Sequence, residues 1–132
     1  MKSSLLFVLL FLCTSFTEKE YEKKFYTNGK LMEEGWIIDG KKNNYWFYYF
    51  ETGLKKEEGH YCNNQKTNWW IYFDKKQRII KKCEYKKNVL NGLTIIYING
   101  KIVSAEKYIM GIKIKSWDNL YEFKKDNGNL FN

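Results

Sequence analysis

Acidic pairs at repeated positions are the residues whose type and spacing come closest to a catalytic pattern. Glu33 and Glu34 recur 24 residues later as Glu57 and Glu58. On a chain that folds back and forth, equivalent carboxylates two strands apart lie about 9.5 Å from each other. That separation is near the upper limit for the two acids of an inverting glycosidase. Acid and base roles need different environments, and repeated positions supply the same one, so we expect no glycosidase.

Nucleophilic and metal chemistry lack the residues that they need. The chain has one histidine, His60, which stands where the preceding repeat has Trp36. His60 therefore looks like an ordinary strand residue, and we do not expect it to act as the base of a catalytic Ser-His or Cys-His pair. The cysteines form no Cys-x-x-Cys motif for a metal. We therefore predict a non-enzymatic protein with no catalytic residue, no metal and no cofactor.

Two cysteines, Cys62 and Cys83, follow the N-terminal segment. If both lie near the ends of equivalent strands in neighbouring repeats, about 9.5 Å separates their Cα atoms. A disulfide tolerates at most about 7 Å. The sequence therefore predicts two free thiols that act as small, half-buried apolar residues.

A degenerate repeat of about 24 residues organises the chain. Three glycine-to-tryptophan pairs share a spacing of seventeen residues: Gly29 to Trp46, Gly53 to Trp70, and Gly100 to Trp117. The first two repeats align without a gap. We predict units at about 26–49, 50–72, 73–96 and 97–120, followed by a partial unit, 121–132, that serves as a last capping hairpin around Asn127 and Gly128.

Each unit resembles a β-hairpin. Three dipeptides favour tight turns: Asn28-Gly29, Asp39-Gly40 and Asn99-Gly100. Between the turns, side chains alternate with period two and form one predicted core column: Trp46 with Tyr48, Trp70 with Tyr72, Leu93 with Ile95, and Trp117. Gly35 and Gly59 interrupt strands, where a ring of the next strand can cover the bare Cα atom. The predicted fold is all-β, a single antiparallel meander sheet of about four to five stacked hairpins.

A second aromatic strip is predicted on the opposite face of that sheet. Trp69 precedes Trp70, and neighbours on a strand point to opposite faces. The repeat equivalent of Trp69 is Tyr45, and Phe47 and Tyr49 share its side. Exposed aromatic strips are often interaction sites. Tyr45, Phe47, Tyr49 and Trp69 are therefore the candidate binding residues.

Composition restricts the partners. The 132 residues carry a formal charge of +8, and aromatic residues make up 19% of the chain. All but one of the 23 basic residues are lysine, and Arg78 is the exception. Without arginine forks for phosphate or guanine, and with lysines alternating with acids, nucleic acid is not an expected partner.

The N-terminal segment is typical of a secretory leader. Lys2 precedes eight apolar residues, Leu5 to Leu12, and small polar residues follow. Eight apolar residues do not span a bilayer, so no transmembrane segment is expected. We predict a signal peptide at 1–17, a mature domain at 18–132, and export to the periplasm, cell envelope or exterior. Leu10 to Cys13 also resembles a lipoprotein box, which would anchor the chain through Cys13.

The best-preserved unit carries a family resemblance. Its pattern is formed by Tyr26, Asn28, Gly29, Lys30, Leu31, Glu34, Gly35, Asp39, Gly40, Lys41, Asn44 and Trp46. This pattern resembles the MORN-repeat variant of bacterial YwqK-type antitoxins, and Asn44, Asn68 and Lys82 depart from it where glycine is usual. The resemblance implies a non-enzymatic scaffold. We expect an unknown protein partner at the cell envelope; the alternatives are a surface for glycans or anionic lipid headgroups, and a toxin-neutralising protein.

Overall fold

The computed structural model describes residues 16–130. Residues 1–15, which include Cys13 and nearly all of the predicted leader at 1–17, lie outside the described residues, as do residues 131–132. The predicted leader and lipid anchor are therefore not part of the structure described below.

One antiparallel sheet of nine strands makes up most of the molecule, and each strand pairs only with its neighbours in sequence. The strands are β1 (Lys19–Phe25), β2 (Leu31–Ile38), β3 (Lys41–Tyr49), β4 (Lys55–Cys62), β5 (Gln65–Phe73), β6 (Ile79–Lys86), β7 (Val89–Ile98), β8 (Lys101–Ile109) and β9 (Ile112–Trp117). The predicted all-β meander is confirmed. Four hairpins, β2 to β9, correspond to the four predicted units.

Tight turns join the strands of each hairpin, because both central residues adopt the positive φ that type I′ turns require. Asp39 and Gly40, in the turn of the first hairpin, have φ values of 49° and 72°; Asn99 and Gly100, which connect the third hairpin to the fourth, have 50° and 75°. Asn28-Gly29 belongs to a longer turn, in which only Gly29 has positive φ. Of the predicted turns, two are therefore two-residue turns and the third is not.

An additional half-repeat, β1, begins the sheet. Each hairpin turn donates a backbone N–H to a carbonyl of the preceding repeat, at 2.8 to 3.0 Å: Asp39 to Glu18, Asn64 to Lys42, Asn88 to Lys66, and Gly111 to Leu90. The four acceptors are 24 residues apart, so β1 is equivalent to the second strand of a unit. The predicted units began at residue 26 and missed it because its alternating charges hide the pattern.

The sheet has two different faces, and we name each after one residue. The Trp46 face carries a column of directly opposed residues: Gly35, Trp46, Gly59, Trp70, Cys83 and Thr94. Trp46 and Trp70 are 0% exposed. A Cβ atom added to Gly35 would lie 2.3 Å from the Trp46 ring, and one added to Gly59 would lie 2.4 Å from the Trp70 ring. The predicted packing of tryptophan over glycine is confirmed.

Trp117 does not continue that column, and the prediction was wrong there. Trp117 lies opposite Ala105, on the other face, and Ile95 is also opposite Ala105. Leu93 and Ile95 lie on the same face as Trp117. Thr94, opposite Cys83, therefore occupies the place in the Trp46 column that was predicted for Leu93. In each of the first three hairpins the register shift adds two residues to one strand, whereas in the last it adds only one. That difference of one residue moves Trp117 to the opposite face.

Left-handed backbone marks the register shifts of the first three hairpins. Asn44 and Asn68 have φ values of 61° and 55°, and the equivalent residue of the third unit is Gly92, with φ 119°. Asparagine tolerates this conformation better than other non-glycine residues. Lys82, which we had grouped with Asn44 and Asn68, has no positive φ and lies on a regular part of β6.

The C-terminal segment is a helix rather than the predicted hairpin. Helix α1 (Leu120–Asp126) begins at Asn119, whose side chain accepts a hydrogen bond from the Glu122 N–H. Such N-capping satisfies a helix donor that otherwise has no partner. Asn127 and Gly128, predicted as a hairpin turn, end this helix and begin a 3-10 turn (Gly128–Leu130). Phe123 packs into the sheet with 0% exposure.

The cysteines are free thiols at positions that are not equivalent. Cys62 is exposed at the end of β4, whereas Cys83 is buried in the middle of β6, opposite Trp70. Cys83 therefore occupies the position of Gly59 in the repeat, and the prediction of two half-buried thiols was wrong for both. Burial raises the pKa of the Cys83 thiol.

Candidate functional site

Polar groups of the Trp46 face bind one another. The Lys42 ammonium lies 4.0 Å from the centre of the Trp46 ring and 2.9 Å from both Glu33 Oε2 and the Tyr48 hydroxyl. The hydroxyls of Tyr48 and Tyr61 are 2.9 Å apart. The cation is thus held by a ring face, a carboxylate and a phenol.

The same network recurs one repeat later. Lys66 lies 3.8 Å from the Trp70 ring centre, 3.5 Å from Glu57 and 3.3 Å from the Tyr72 hydroxyl. Tyr72 and Tyr85 join hydroxyls at 3.0 Å. Burial lowers the pKa of Lys66 and raises that of Tyr72. Because both copies satisfy their polar groups internally, we assign this face to stability.

The acidic pairs are divided between the two faces. Glu33 lies on the Trp46 face, where burial would raise its pKa, but hydrogen bonds from Lys42 and Lys24 hold it below the usual value. Glu34 lies on the opposite face and accepts a hydrogen bond from the Tyr49 hydroxyl at 2.7 Å. Neighbouring acids therefore never meet. Within residues 16–130, no cluster of three or more His, Cys, Asp or Glu side chains could hold a metal ion.

The other face, which we call the Tyr45 face, carries the predicted binding strip. Tyr45, Phe47 and Tyr49 are half-buried on β3. The ring centres of Tyr45 and Phe47 lie 5.0 Å apart, and those of Tyr45 and His60 lie 4.7 Å apart at 88°. These residues form one continuous aromatic surface across β3 and β4.

The surface extends to two residues that the candidate set lacked. Tyr21 on β1 contacts Trp36 on β2, with ring centres 5.1 Å apart at 77°. This pair repeats the contact of Tyr45 with His60 one unit earlier. The repeat spacing of 24 residues, applied backwards from Tyr45, identifies Tyr21.

Trp69 shares the face but not the surroundings. It packs against a cluster formed by Leu93, Ala105, Trp117 and Phe123. The ring centres of Trp117 and Phe123 are 5.3 Å apart. Helix α1 packs on β8 and β9, at the C-terminal end of the Tyr45 face, and Trp69 packs against the cluster that contains Phe123. The predicted strip is therefore divided: Tyr45, Phe47 and Tyr49 lie on the half that the helix leaves uncovered, and Trp69 is partly covered.

Ion pairs border the uncovered half. Lys55 binds Glu58 at 2.6 Å, and Lys23 lies 3.6 Å from Glu34. Burial and the nearby Glu58 carboxylate raise the pKa of Tyr45 to about 12. The strip thus has an apolar centre with a polar, charge-balanced border, which is typical of protein interfaces.

No family model matches the chain, and no curated protein matches it significantly. None of the helices within residues 16–130 is long and apolar enough to cross a membrane.

Proposed function

We propose that this chain is an exported, non-enzymatic protein-binding or scaffolding module of the cell envelope, and that it meets its partner with the uncovered half of the Tyr45 face. The observation that carries the proposal is the contrast within this face. Helix α1 covers one half by inserting Phe123, while the aromatic surface around Tyr45 has no such cover from the described chain. A partner that supplies an apolar segment would complete the uncovered half in the same manner.

Ring orientation favours a protein over a glycan. Sugars stack on ring faces that are flat and free. Here Tyr45 meets His60 edge to face, and the Lys19 ammonium lies 4.3 Å from the Trp36 ring centre. The rings form an uneven apolar surface, which fits the side chains of a protein partner better than the flat face of a sugar ring.

Charge balance also disfavours an anionic lipid surface as the main partner. Lipid headgroups attract clusters of unpaired lysines. Lys23 and Lys55 on this face are paired with Glu34 and Glu58. Neutralisation of a toxin remains a form of the same proposal, since it too requires a protein interface, and only the resemblance to YwqK-type proteins supports it.

Export rests on the N-terminal sequence. If the leader is removed near Ser15 or Thr17, the mature protein begins at Phe16 or Glu18. N-terminal sequencing of the protein from fractionated cells identifies its first residue. A cytosolic chain that still begins at Met1 would contradict the proposed export.

Crosslinked capture from intact envelope tests the interface. In the double variant Tyr45→Ala/Phe47→Ala we expect capture of the partner to fall at least tenfold, because central aromatic anchors dominate interface energies. Tyr121→Ala is the matched control, since Tyr121 is 78% exposed on helix α1. Equal capture by the double variant and the control, with both folded, would contradict the proposed interface.

A further inference from the structure

An apolar groove lies where helix α1 crosses the Tyr45 face. Its volume is about 340 Å³, and its walls include Trp69, Ile71, Leu93, Ile95, Ile102 and Phe123. Grooves of this size accommodate small ligands, which are usually held by apolar walls and a few polar groups.

One basic residue, Lys82, contributes to this lining. It is half-buried on β6, with Ile71 opposite it on one side and Ile95 opposite it on the other. The repeat equivalents of Lys82 are Glu34 and Glu58, so the sign of the charge is reversed in this unit alone.

Lys82 also lacks the ionic partner that its equivalents have. Glu34 and Glu58 are each paired with a lysine, whereas no ion pair within residues 16–130 includes Lys82. Its ammonium lies 5.7 Å from the centre of the Tyr97 ring. A cation between apolar side chains with only a ring as partner attracts an anion more strongly than a surface lysine does.

Neighbouring carboxylates are engaged elsewhere. Glu84 Oε2 accepts a hydrogen bond from the Leu93 N–H at 2.6 Å. Asp126 accepts one from the Trp117 indole at 2.8 Å and pairs with Lys115. The chain therefore supplies apolar walls and a cation to the groove, and the complementary anion has to come from a ligand.

We propose that this groove binds a small amphipathic carboxylate, a single apolar chain with one carboxylate group. The carboxylate pairs with Lys82, and the chain lies along Ile71, Ile95 and Phe123. This site is separate from the interface around Tyr45 and does not depend on it.

Calorimetric titration with decanoate, below its micelle concentration, tests the site. The wild-type protein is expected to bind decanoate at least tenfold more tightly than decan-1-ol, which has the same chain without charge. Lys82→Met keeps the length of the side chain and removes the charge, so it should abolish that difference. Lys81→Met is the matched control, because Lys81 lies on the opposite face, 4.6 Å from the Tyr72 ring centre.

Charge reversal makes the test independent of small losses in stability. Lys82→Glu should lose decanoate and gain decylamine, with circular dichroism confirming the fold of each variant. The proposal is overturned if decanoate and decanol bind the wild type equally, or if Lys82→Met binds decanoate as the wild type does. Binding to phosphatidylglycerol vesicles but not to free decanoate would also overturn it, because the determinant would then be a membrane surface.

Discussion

The two faces of the sheet use the same repeat differently. On the Trp46 face, the network around Lys42 recurs around Lys66 with the same partners, and each tryptophan packs over a glycine. On the Tyr45 face, the aromatic surface around Tyr45 gives way to the cluster around Phe123. On the Trp46 face the repeated contacts are satisfied within the sheet, whereas on the Tyr45 face the repeated aromatic pairs end where helix α1 packs.

Replacing neighbouring tryptophans should give the largest difference between the faces. Trp70→Ala leaves a cavity at a fully buried site, so we expect a loss of about 3–5 kcal/mol in the free energy of unfolding. Trp69→Ala on the Tyr45 face should cost less, roughly 0.5–3 kcal/mol, because Trp69 is only half-buried. Urea unfolding measures both. Equal losses would show that the Tyr45 face is as much a core as the Trp46 face.

Removing the helix anchor tests how the Tyr45 face is covered. Replacing a buried aromatic residue by alanine typically lowers the free energy of unfolding by about 3–5 kcal/mol. For Phe123→Ala we expect a loss of no more than about 3 kcal/mol, because the terminal helix can detach while the sheet persists. Hydrogen exchange should show lost protection in α1 and around Trp117, with β3 to β5 unchanged. Loss of protection throughout the sheet would mean that both faces depend on the helix.

Filling a glycine tests the Trp46 face alone. In Gly59→Ala the new Cβ atom meets the Trp70 ring at 2.4 Å, and we expect a cost of about 1–3 kcal/mol from overpacking. Gly128→Ala is the control, because nothing lies within 4 Å of a Cβ atom there. Thermal unfolding compares the two, and a Gly59→Ala variant as stable as the control would contradict the tryptophan-over-glycine packing.

Alkaline pH should lower the free energy of unfolding through the Trp46 face, by less than the substitutions described above. Burial raises the pKa of Tyr48 to about 12 from its usual 10.0, so the folded chain retains a proton that the unfolded chain loses. The corresponding stability is present below pH 10 and is lost as the pH rises towards 12. Lys66, whose pKa burial lowers, acts oppositely and adds stability as the pH approaches 10.5. Urea midpoints between pH 8 and 12 measure the balance, and Tyr48→Phe should show a shallower loss above pH 10.

The sequence by itself determined the hairpins, their order and the packing of Trp46 and Trp70 over glycines. Those features depend on local signals: period-two alternation, dipeptides that accept positive φ, and a spacing of 24 residues. The same local spacing misplaced Trp117, because the face of a residue depends on how many residues each register shift adds.

Only the tertiary structure decided what each face meets. Helix α1 packs on β8 and β9 because Asn119 caps the helix and Phe123 joins the cluster of Leu93, Ala105 and Trp117, against which Trp69 also packs. Lys82 became a candidate ligand-binding residue only when its surroundings, apolar and without a carboxylate partner, were known. Burial and charge pairing are sums over neighbours brought together by folding, so a local sequence pattern cannot specify them.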